Sequence, residues 1–482
     1  MLTQLRKLAQ HSLLYSLVNA LTKFINFLLL PLYTGVLTQA EYGVQDLVLT
    51  TISLLWIFCM LSMDAAAHRW YWDSEDIVQR KRTISSWTWL LFLLAVFMSG
   101  QIWMLSDQLA QWIVDDANAG VFFRIAAIGQ FLFSILPNVT WNWLRLQHRP
   151  RTLMWFTLLG SFINIGATYI MLVPLNLGIF GLFWAAFISQ GTSSLVAIFL
   201  LGDWINPRYF MFSRLKEMLR YSLPLVPASL AYWVVSLSDR YFVQAYGNND
   251  DVGVYSVGVR LATVVVLLTM GFQQAWGPLS MSVYLKPEAN RIYAMVLLIY
   301  TWLGCLLCLG LTLFSPNFVL LATAGGKWID AAPIIGPMAF SFVMTGLAYI
   351  AGLGLEIKKM SVPAATGYIF AALLNIGLNF LLVPRFGKIG SAWATLISQI
   401  CIPLYLFYKS QQVYPIPYPF KSSVLLFGFA FLLSFGPNFF SVSITTSGTL
   451  LKMAIWAGFA MVIFVIRPDL IKQTLQLVRR RT

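Results

Sequence analysis

Charge is what this chain of 482 residues has least of: 10% of its residues are Asp, Glu, Lys or Arg, against 59% hydrophobic. Soluble domains carry about a quarter charged residues, so the shortage excludes a soluble enzyme or a nucleic-acid-binding module. Histidine is almost absent. His11, His68 and His148 stand isolated, and no metal-ligand constellation forms around them. Cys59, Cys305, Cys308 and Cys401 all lie in apolar stretches. The Cys305–Cys308 spacing has no second pair or nearby histidine to make it a metal or redox site, so all four read as small apolar packing residues. No glycine-rich nucleotide loop is present, which excludes ATP hydrolysis by this chain. Every loop is short, and none is long enough to fold as a soluble domain. The expectation is a protein with no cofactor, no metal and no enzymatic activity.

What remains is a series of apolar runs, each of about 20 residues, enough to cross a ~30 Å hydrocarbon core as a helix. Without water, spanning segments must close their own hydrogen bonds, as a helix or a closed barrel does. Continuous apolar runs, without alternation, select helices. The expected fold class is an all-α integral membrane protein of about fourteen transmembrane helices. The spans run over 11–33, 44–66, 84–105, 119–142, 152–173, 178–201, 221–246, 252–275, 292–314, 333–355, 361–383, 388–408, 421–440 and 448–466. With the N-terminus inside, nearly all loop cations fall on the cytoplasmic side, and the opposite side holds only Lys327, Arg385 and Lys388. This bias sets both termini in the cytoplasm. It also explains the formal charge of +14 as a topology signal, so nucleic acid is not an expected partner. Arg6 and Lys7 precede the first span without a small-residue cleavage site, which reads as a span and not as a removed signal.

The chain repeats itself. Gly181, Trp184, Ala185, Ile188, Ser189 and Gln190 recur at the same spacing as Gly390, Trp393, Ala394, Ile397, Ser398 and Gln399. Asn164-Ile165-Gly166 answers to Asn375-Ile376-Gly377, and Val173-Pro174 to Val383-Pro384. Glu41-Tyr42-Gly43-Val44 answers to Asp251-Val252-Gly253-Val254, an offset that also sets Ser12 on Ser222. The expected organisation is an N-terminal lobe over 1–207, a C-terminal lobe over 208–412, and 413–482 as two further spans with a basic tail. Six spans per copy, an even number, relate the lobes by an axis along the membrane normal. Such repeats place a transport site at the interface between the copies.

Five cations lie within spans: Lys23, Arg124, Arg240, Arg260 and Lys452. Arg124 and Lys452 lie within a turn of the outer boundary, where they snorkel. Lys23, Arg240 and Arg260 lie roughly 9 to 15 Å deeper at ~1.5 Å per residue, where a cation costs at least ~2.5–3.5 kcal/mol and faces a cavity or a partner. Ser12, Tyr15, Asn19, Lys23 and Asn26 form one stripe in span 1. Ser229, Ser236 and Arg240 share a face in span 7, as do Ser256, Arg260, Thr263 and Gln274 in span 8. These stripes line an anion-binding cavity, or else the cations are held in structural ion pairs. Asp239 is adjacent to Arg240 and cannot face it on the same helix, which leaves Lys23 or Arg260 as its expected partner. Asp46 and Asp64 lie near opposite ends of span 2, and Glu356 at the inner end of span 10. Asp64, Asp239 and Glu356 are the candidates for proton or sodium coupling. Arg69, among Trp70, Tyr71 and Trp72 and ahead of Arg80-Lys81-Arg82, belongs to an ordinary cytoplasmic loop or to a basic vestibule that collects anionic headgroups. Pro31, Pro224, Pro227, Pro333 and Pro337 are expected kinks, a feature that suits rocking between inward- and outward-open states.

The stretch Leu30-Pro31-Leu32-Tyr33-Thr34-Gly35-Val36-Leu37-Thr38-Gln39-Ala40-Glu41-Tyr42-Gly43 resembles the Wzx-type polysaccharide flippases. Asp239-Arg240-Tyr241-Phe242 and the duplicated Gly-x-x-Trp-Ala segments strengthen the resemblance, which covers essentially the whole chain. This family sits in the multidrug/oligosaccharidyl-lipid/polysaccharide exporter superfamily, with the lipid II flippase and MATE drug antiporters as relatives. The resemblance implies two six-helix lobes in a V, plus two extra helices, around a cavity formed by spans 1, 2, 7 and 8. It implies transfer of undecaprenyl-pyrophosphate-linked oligosaccharides from the cytoplasmic to the periplasmic leaflet of the bacterial inner membrane, for O-antigen, capsule or exopolysaccharide. Membrane lipids, the lipid-linked cargo, and a polysaccharide polymerase and chain-length proteins are the implied partners. On this reading Lys23, Arg240 and Arg260 hold the pyrophosphate, with Asn19, Asn26 and Arg124 beside them. The chain departs from the most cation-rich members in having few deep basic residues in its first lobe, which leaves the pyrophosphate ligands open. The rivals are a cation-coupled drug or metabolite antiporter of the same fold, which would want deep carboxylates, a membrane enzyme of polysaccharide assembly, which would need a substantial loop, and a transport-inactive scaffold.

Overall fold

The computed structural model describes residues 29–323, 326–439 and 446–466. Among them every regular element is helical. Among the described residues nine helical runs are long and apolar enough to cross a membrane, ten if Asn249–Ala262 and Val264–Val283, bent by 44° at their junction, count as one. The differences from the expected spans have local causes. Span 11–33, with Asn19, Lys23 and Asn26, lies outside the described residues except for its end. The spans at 361–383 and 388–408 form one helical run, Val362–Val413, turned at Gly387, whose φ of 54° only glycine adopts freely. The span at 221–246 is broken, and that at 421–440 keeps a shorter apolar run, Phe420–Gly436.

The described residues pack into two compact units, one running to Ser256 and including Ile376–Lys388, the other comprising Val257–Asn375 and the residues from Ile389 on. The first unit contains α1 (Leu30–Val36), α2 (Gln39–Met60), α3 (Met63–Tyr71), α4 (Ile77–Val114), α5 (Ala117–Leu146), α6 (Pro150–Leu172) and α7 (Gly178–Leu201). They are followed by α8 (Phe212–Ser222), α9 (Val226–Leu237), α10 (Asp239–Tyr246) and the first half of α11 (Asn249–Ala262). The start of α2 is written in the sequence. Thr38 accepts a hydrogen bond from the Glu41 amide (3.2 Å), and the Glu41 carboxylate accepts one from the Thr38 amide (2.8 Å), a capping box that satisfies two otherwise orphaned donors. Span 2 does not run on to residue 66. Leu61 and Ser62 take left-handed conformations (φ 48° and 52°) that cost a side-chain-bearing residue free energy, and α3 starts afresh.

The repeated motif is packing chemistry. A methyl on Gly181 would sit 3.0 Å from Met171, so α6 and α7 approach closely. Ser189 donates to the Gly160 carbonyl (2.9 Å) and Gln190 to Gln130 (3.2 Å), tying α7 to α6 and to the wide helical turn Ile128–Phe133 of α5. Trp184, however, is 40% exposed.

The second unit holds the rest of α11, α12 (Val264–Val283), α13 (Ala289–Leu313), α14 (Ser315–Ala322), α15 (Ala332–Ala351), α16 (Val362–Val413), α17 (Phe420–Phe439) and α18 (Thr446–Ile466), less the segment of α16 in the first unit. α15 is its buried centre, packed between α12 and α13. Trp393, the repeat partner of Trp184, is covered by Phe431 and Phe435 of α17. Trp456 of α18 donates to the Leu306 carbonyl of α13 (2.9 Å). The helices outside the repeat thus shield a face that the first copy leaves open. Cys305 and Cys308 are fully buried within α13. The prolines mostly start helices: Pro31, Pro227 and Pro333 lie in first turns, where the missing N–H costs nothing, while Pro337 and Pro278 are interior.

Candidate functional site

Arg240 is the deep cation that the described residues place most fully. Its helix breaks just before it. α9 ends at Leu237, Ser238 donates back to the Val234 carbonyl (2.7 Å), and α10 begins at Asp239. The break exposes amides in the first turn of α10 and frees the Ser236 carbonyl. The Asp239 carboxylate folds over that turn and accepts from the Arg240 amide (3.0 Å) and from the Arg240 guanidinium (2.6 Å). Sequence adjacency therefore does not keep Asp239 from Arg240, contrary to the expectation. The long arginine stem turns back on its neighbour because the helix restarts there.

A second carboxylate completes the arrangement. The Arg240 Nε donates to Asp46 of α2 (2.9 Å), and the second nitrogen also donates to the Ser236 carbonyl (3.1 Å). Tyr255 donates to Asp239 (2.5 Å) and Ser256 to Asp46 (2.6 Å), both from α11. The Arg240 side chain is 7% exposed and that of Asp239 1%. Two carboxylates thus surround one guanidinium, a formal charge of −1 carried by α2 and α10, with neutral hydroxyl donors from α11. Further along α2, Tyr241 hydrogen-bonds Thr51 (2.9 Å) and Trp233 donates to Ser53 (2.9 Å), tying α2 to α10 and α9, and just beyond α2 Ser62 meets Ser229 (3.3 Å).

The same ends of α2 and α11 touch through backbone. A methyl on Gly43 would lie 1.9 Å from the Asn249 carbonyl oxygen, and one on Gly253 would lie 2.0 Å from that of Gln39. Only glycine permits this approach. Gly43 and Gly253 are repeat equivalents, and so are Gln39 and Asn249, and Asp46 and Ser256.

The remaining candidates are dispersed. Arg260 is half-buried one turn beyond Ser256, and Thr263 caps its carbonyl at the bend (2.6 Å). Arg124 is held by both oxygens of Asp107 (2.7 and 2.6 Å) and by Ser106 (2.7 Å) of α4. Arg69 is exposed and pairs with Asp73, while its neighbour Trp70 donates to Glu217 of α8 (3.2 Å). Arg80 lies over the rings of Tyr71 (4.9 Å) and Trp72 (5.1 Å). Asp64 and Glu356 are exposed at helix ends. Asn19, Lys23 and Asn26 lie outside the described residues. The sequence pattern gives Asp46 and Tyr255 no role, although the repeat offset sets Asp46 against Ser256.

A family model described as polysaccharide biosynthesis protein matches residues 32–333. The chain belongs to that family. Comparison with curated proteins gave no match. Among solved structures, the lipid II flippase MurJ in an inward closed conformation is similar with a TM-score of 0.74 at 14% identity, over 95% of this chain and 100% of that one. An inward-facing multidrug resistance MATE family transporter of the MOP superfamily has a TM-score of 0.69 at 16% identity, over 84% and 95%. A MOP superfamily transporter from Pyrococcus furiosus, described by the reverse polarity of its binding pocket, has a TM-score of 0.57 at 16% identity, over 84% and 95%. At these identities the likenesses establish the fold alone: this polysaccharide biosynthesis protein is a multi-pass membrane protein with the helical fold seen in those structures.

Proposed function

We propose that the protein moves lipid-linked oligosaccharides from the cytoplasmic to the periplasmic leaflet of the bacterial inner membrane by alternating access. Both termini are then cytoplasmic, and the cargo is destined for a surface polysaccharide such as O-antigen, capsule or exopolysaccharide. The observation that carries this reading is the polysaccharide biosynthesis match over residues 32–333 in a chain with the fold of a lipid II flippase. Lys23 and Arg260 are the residues assigned to the pyrophosphate, with Asn19 and Asn26 on the Lys23 stripe donating to sugar hydroxyls. Arg240 and Arg124 already face carboxylates and are assigned to holding helices together. Arg69 belongs to the cytoplasmic entrance, and polymerase and chain-length proteins would receive the cargo. Of the three coupling candidates, Asp239 is engaged by Arg240 and Tyr255, which leaves Asp64 and Glu356. The membrane potential also drives export, because moving negative charge out of a negative-inside cell releases ~2.3 kcal/mol per charge per 100 mV.

Depletion of the protein should leave a polyprenyl-pyrophosphate oligosaccharide facing the cytoplasm, and its sugar composition names the cargo. A Lys23→Gln/Arg260→Gln double variant should fail to complement. Full complementation at normal expression would refute the assignment of these two residues. A second reading, a cation-coupled antiporter of the same fold, is favoured by the acidic excess around Arg240. It predicts no lipid-linked intermediate on depletion and a gained sensitivity to cationic drugs.

A further inference from the structure

We infer that the contact where α2, α10 and α11 meet is a latch that closes one end of the transport path and comes apart in every cycle. The inference rests on the transporter reading above. Three observations on the same few residues converge on it.

The first is close packing without interlocking side chains. Gly43 and Gly253 bring two backbones together at a spot where any other residue would collide with a carbonyl oxygen. Such a surface seals tightly, yet it separates without unthreading side chains. The second is its position on the repeat. Gly43 contacts Asn249 while Gly253 contacts Gln39, each residue meeting the repeat equivalent of the other's partner. The contact is therefore reciprocal in the repeat, the starts of two equivalent spans meeting through the same glycine and the same carbonyl. The third is the charge cluster one turn deeper. Arg240 bridges Asp46 from the first copy and Asp239 from the second, and Ser256 adds a 2.6 Å bond to Asp46. Separation of α2 from α10 and α11 at this end breaks the Asp46 bonds to Arg240 and Ser256, but leaves Arg240 with Asp239 on its own helix. Arg240 thus keeps a carboxylate in both states, which lowers the cost of exposing or reburying it. With the N-terminus inside, the starts of α2 and α11 lie at the outer face, so this is the outer closure.

The test reads accessibility and needs no cargo. In a chain whose native cysteines are replaced, Ser256→Cys places a thiol one turn below the Gly253 contact. A membrane-impermeant maleimide added outside intact spheroplasts reaches it only when the latch opens. The expected result is slow labelling, raised about tenfold, or about 1.4 kcal/mol, by either Arg240→Gln or Gly253→Ala. The two variants perturb charge and packing separately, and Arg240→Lys gives a milder charge change if Arg240→Gln does not accumulate as folded protein. Labelling as fast as that of an exposed control cysteine without further substitution would overturn the latch, as would a rate unmoved by both changes. Raised labelling in cells whose depletion accumulates no lipid-linked oligosaccharide would keep the latch and remove the flippase reading.

Discussion

Gly43→Ala is the substitution whose cost follows most directly from the geometry. The new methyl would lie 1.9 Å from the Asn249 carbonyl oxygen, in the place of an ordinary contact of 3.4 Å or more. The obstacle is backbone, so no rotamer change relieves it, and α2 and α11 must part by about 1.5 Å; a gap of even 0.5–1 Å forfeits a quarter to a half of the dispersion attraction across a contact. Overpacking costs about 1–3 kcal/mol, and a backbone obstacle puts this case at the upper end. Scaling to a chain of this length at roughly 1–2 °C per kcal/mol, the melting temperature of the purified protein should fall by roughly 3–6 °C. Gly100→Ala in α4, where a new methyl meets nothing within 4 Å, is the matched control and should be neutral or slightly stabilising. Gly253→Ala should resemble Gly43→Ala. The decisive measurement is the double variant. Once one methyl has parted the helices, the second enters space already made, so the double cost should fall short of the sum, with a coupling of about 0.5–3 kcal/mol. Equal melting temperatures for Gly43→Ala and Gly100→Ala, or strict additivity of the two latch glycines, would refute the reasoning.

Around Arg240, the order of stability should be wild type, then Asp46→Asn, then Arg240→Gln. The last leaves two carboxylates without their cation, and breaking a buried pair costs about 3–5 kcal/mol; a melting series in the reverse order would contradict the assigned partners. Trp393→Ala, which uncovers Phe431 and Phe435, should destabilise more than Trp184→Ala, whose ring is already 40% exposed, when both are compared by fluorescence-detected size exclusion after heating. His68 bonds Asn142 (2.9 Å), and burial, with Arg145 adding to it, holds its imidazole below the usual range. A lowered folded-state value means that its contribution is fully present above about pH 6.5 and is lost as pH falls through the folded value. Wild type should therefore lose more stability than His68→Gln between pH 7.5 and 5.5, and parallel melting curves would exclude this.

Much of this fold is legible in the sequence. Apolar runs of bilayer length fixed the helices because lipid leaves the backbone no alternative, and the duplicated glycine-tryptophan-serine motif marked the equivalent helices α7 and the second part of α16. Even the turns are duplicated: Gly178 and Gly387 both take positive φ (53° and 54°). The breaks were not legible. Neither Leu61-Ser62 nor Ser238 carries glycine or proline, so nothing local announces that the helix stops there. The pairing of Asp239 with Arg240 was hidden for the same reason, since periodicity arguments assume an unbroken helix. Asp46 is not marked by the pattern, because an acidic residue near a span end reads as interfacial until its partner is known. The repeat held the clue, for it set Asp46 opposite Ser256.

The reciprocal contact of Gly43 and Gly253 has the form of an isologous interface, in which the same patch meets itself across a twofold axis. A fused duplication behaves in this respect as a dimer whose subunits share one chain. Such an interface in a true homodimer must be self-complementary, with every charge on one side repeated on the other. Asp46 facing Ser256, with a single arginine between Asp46 and Asp239, breaks that rule. Within one polypeptide each copy is free to carry what the other lacks, so the arginine between the two carboxylates needs no counterpart.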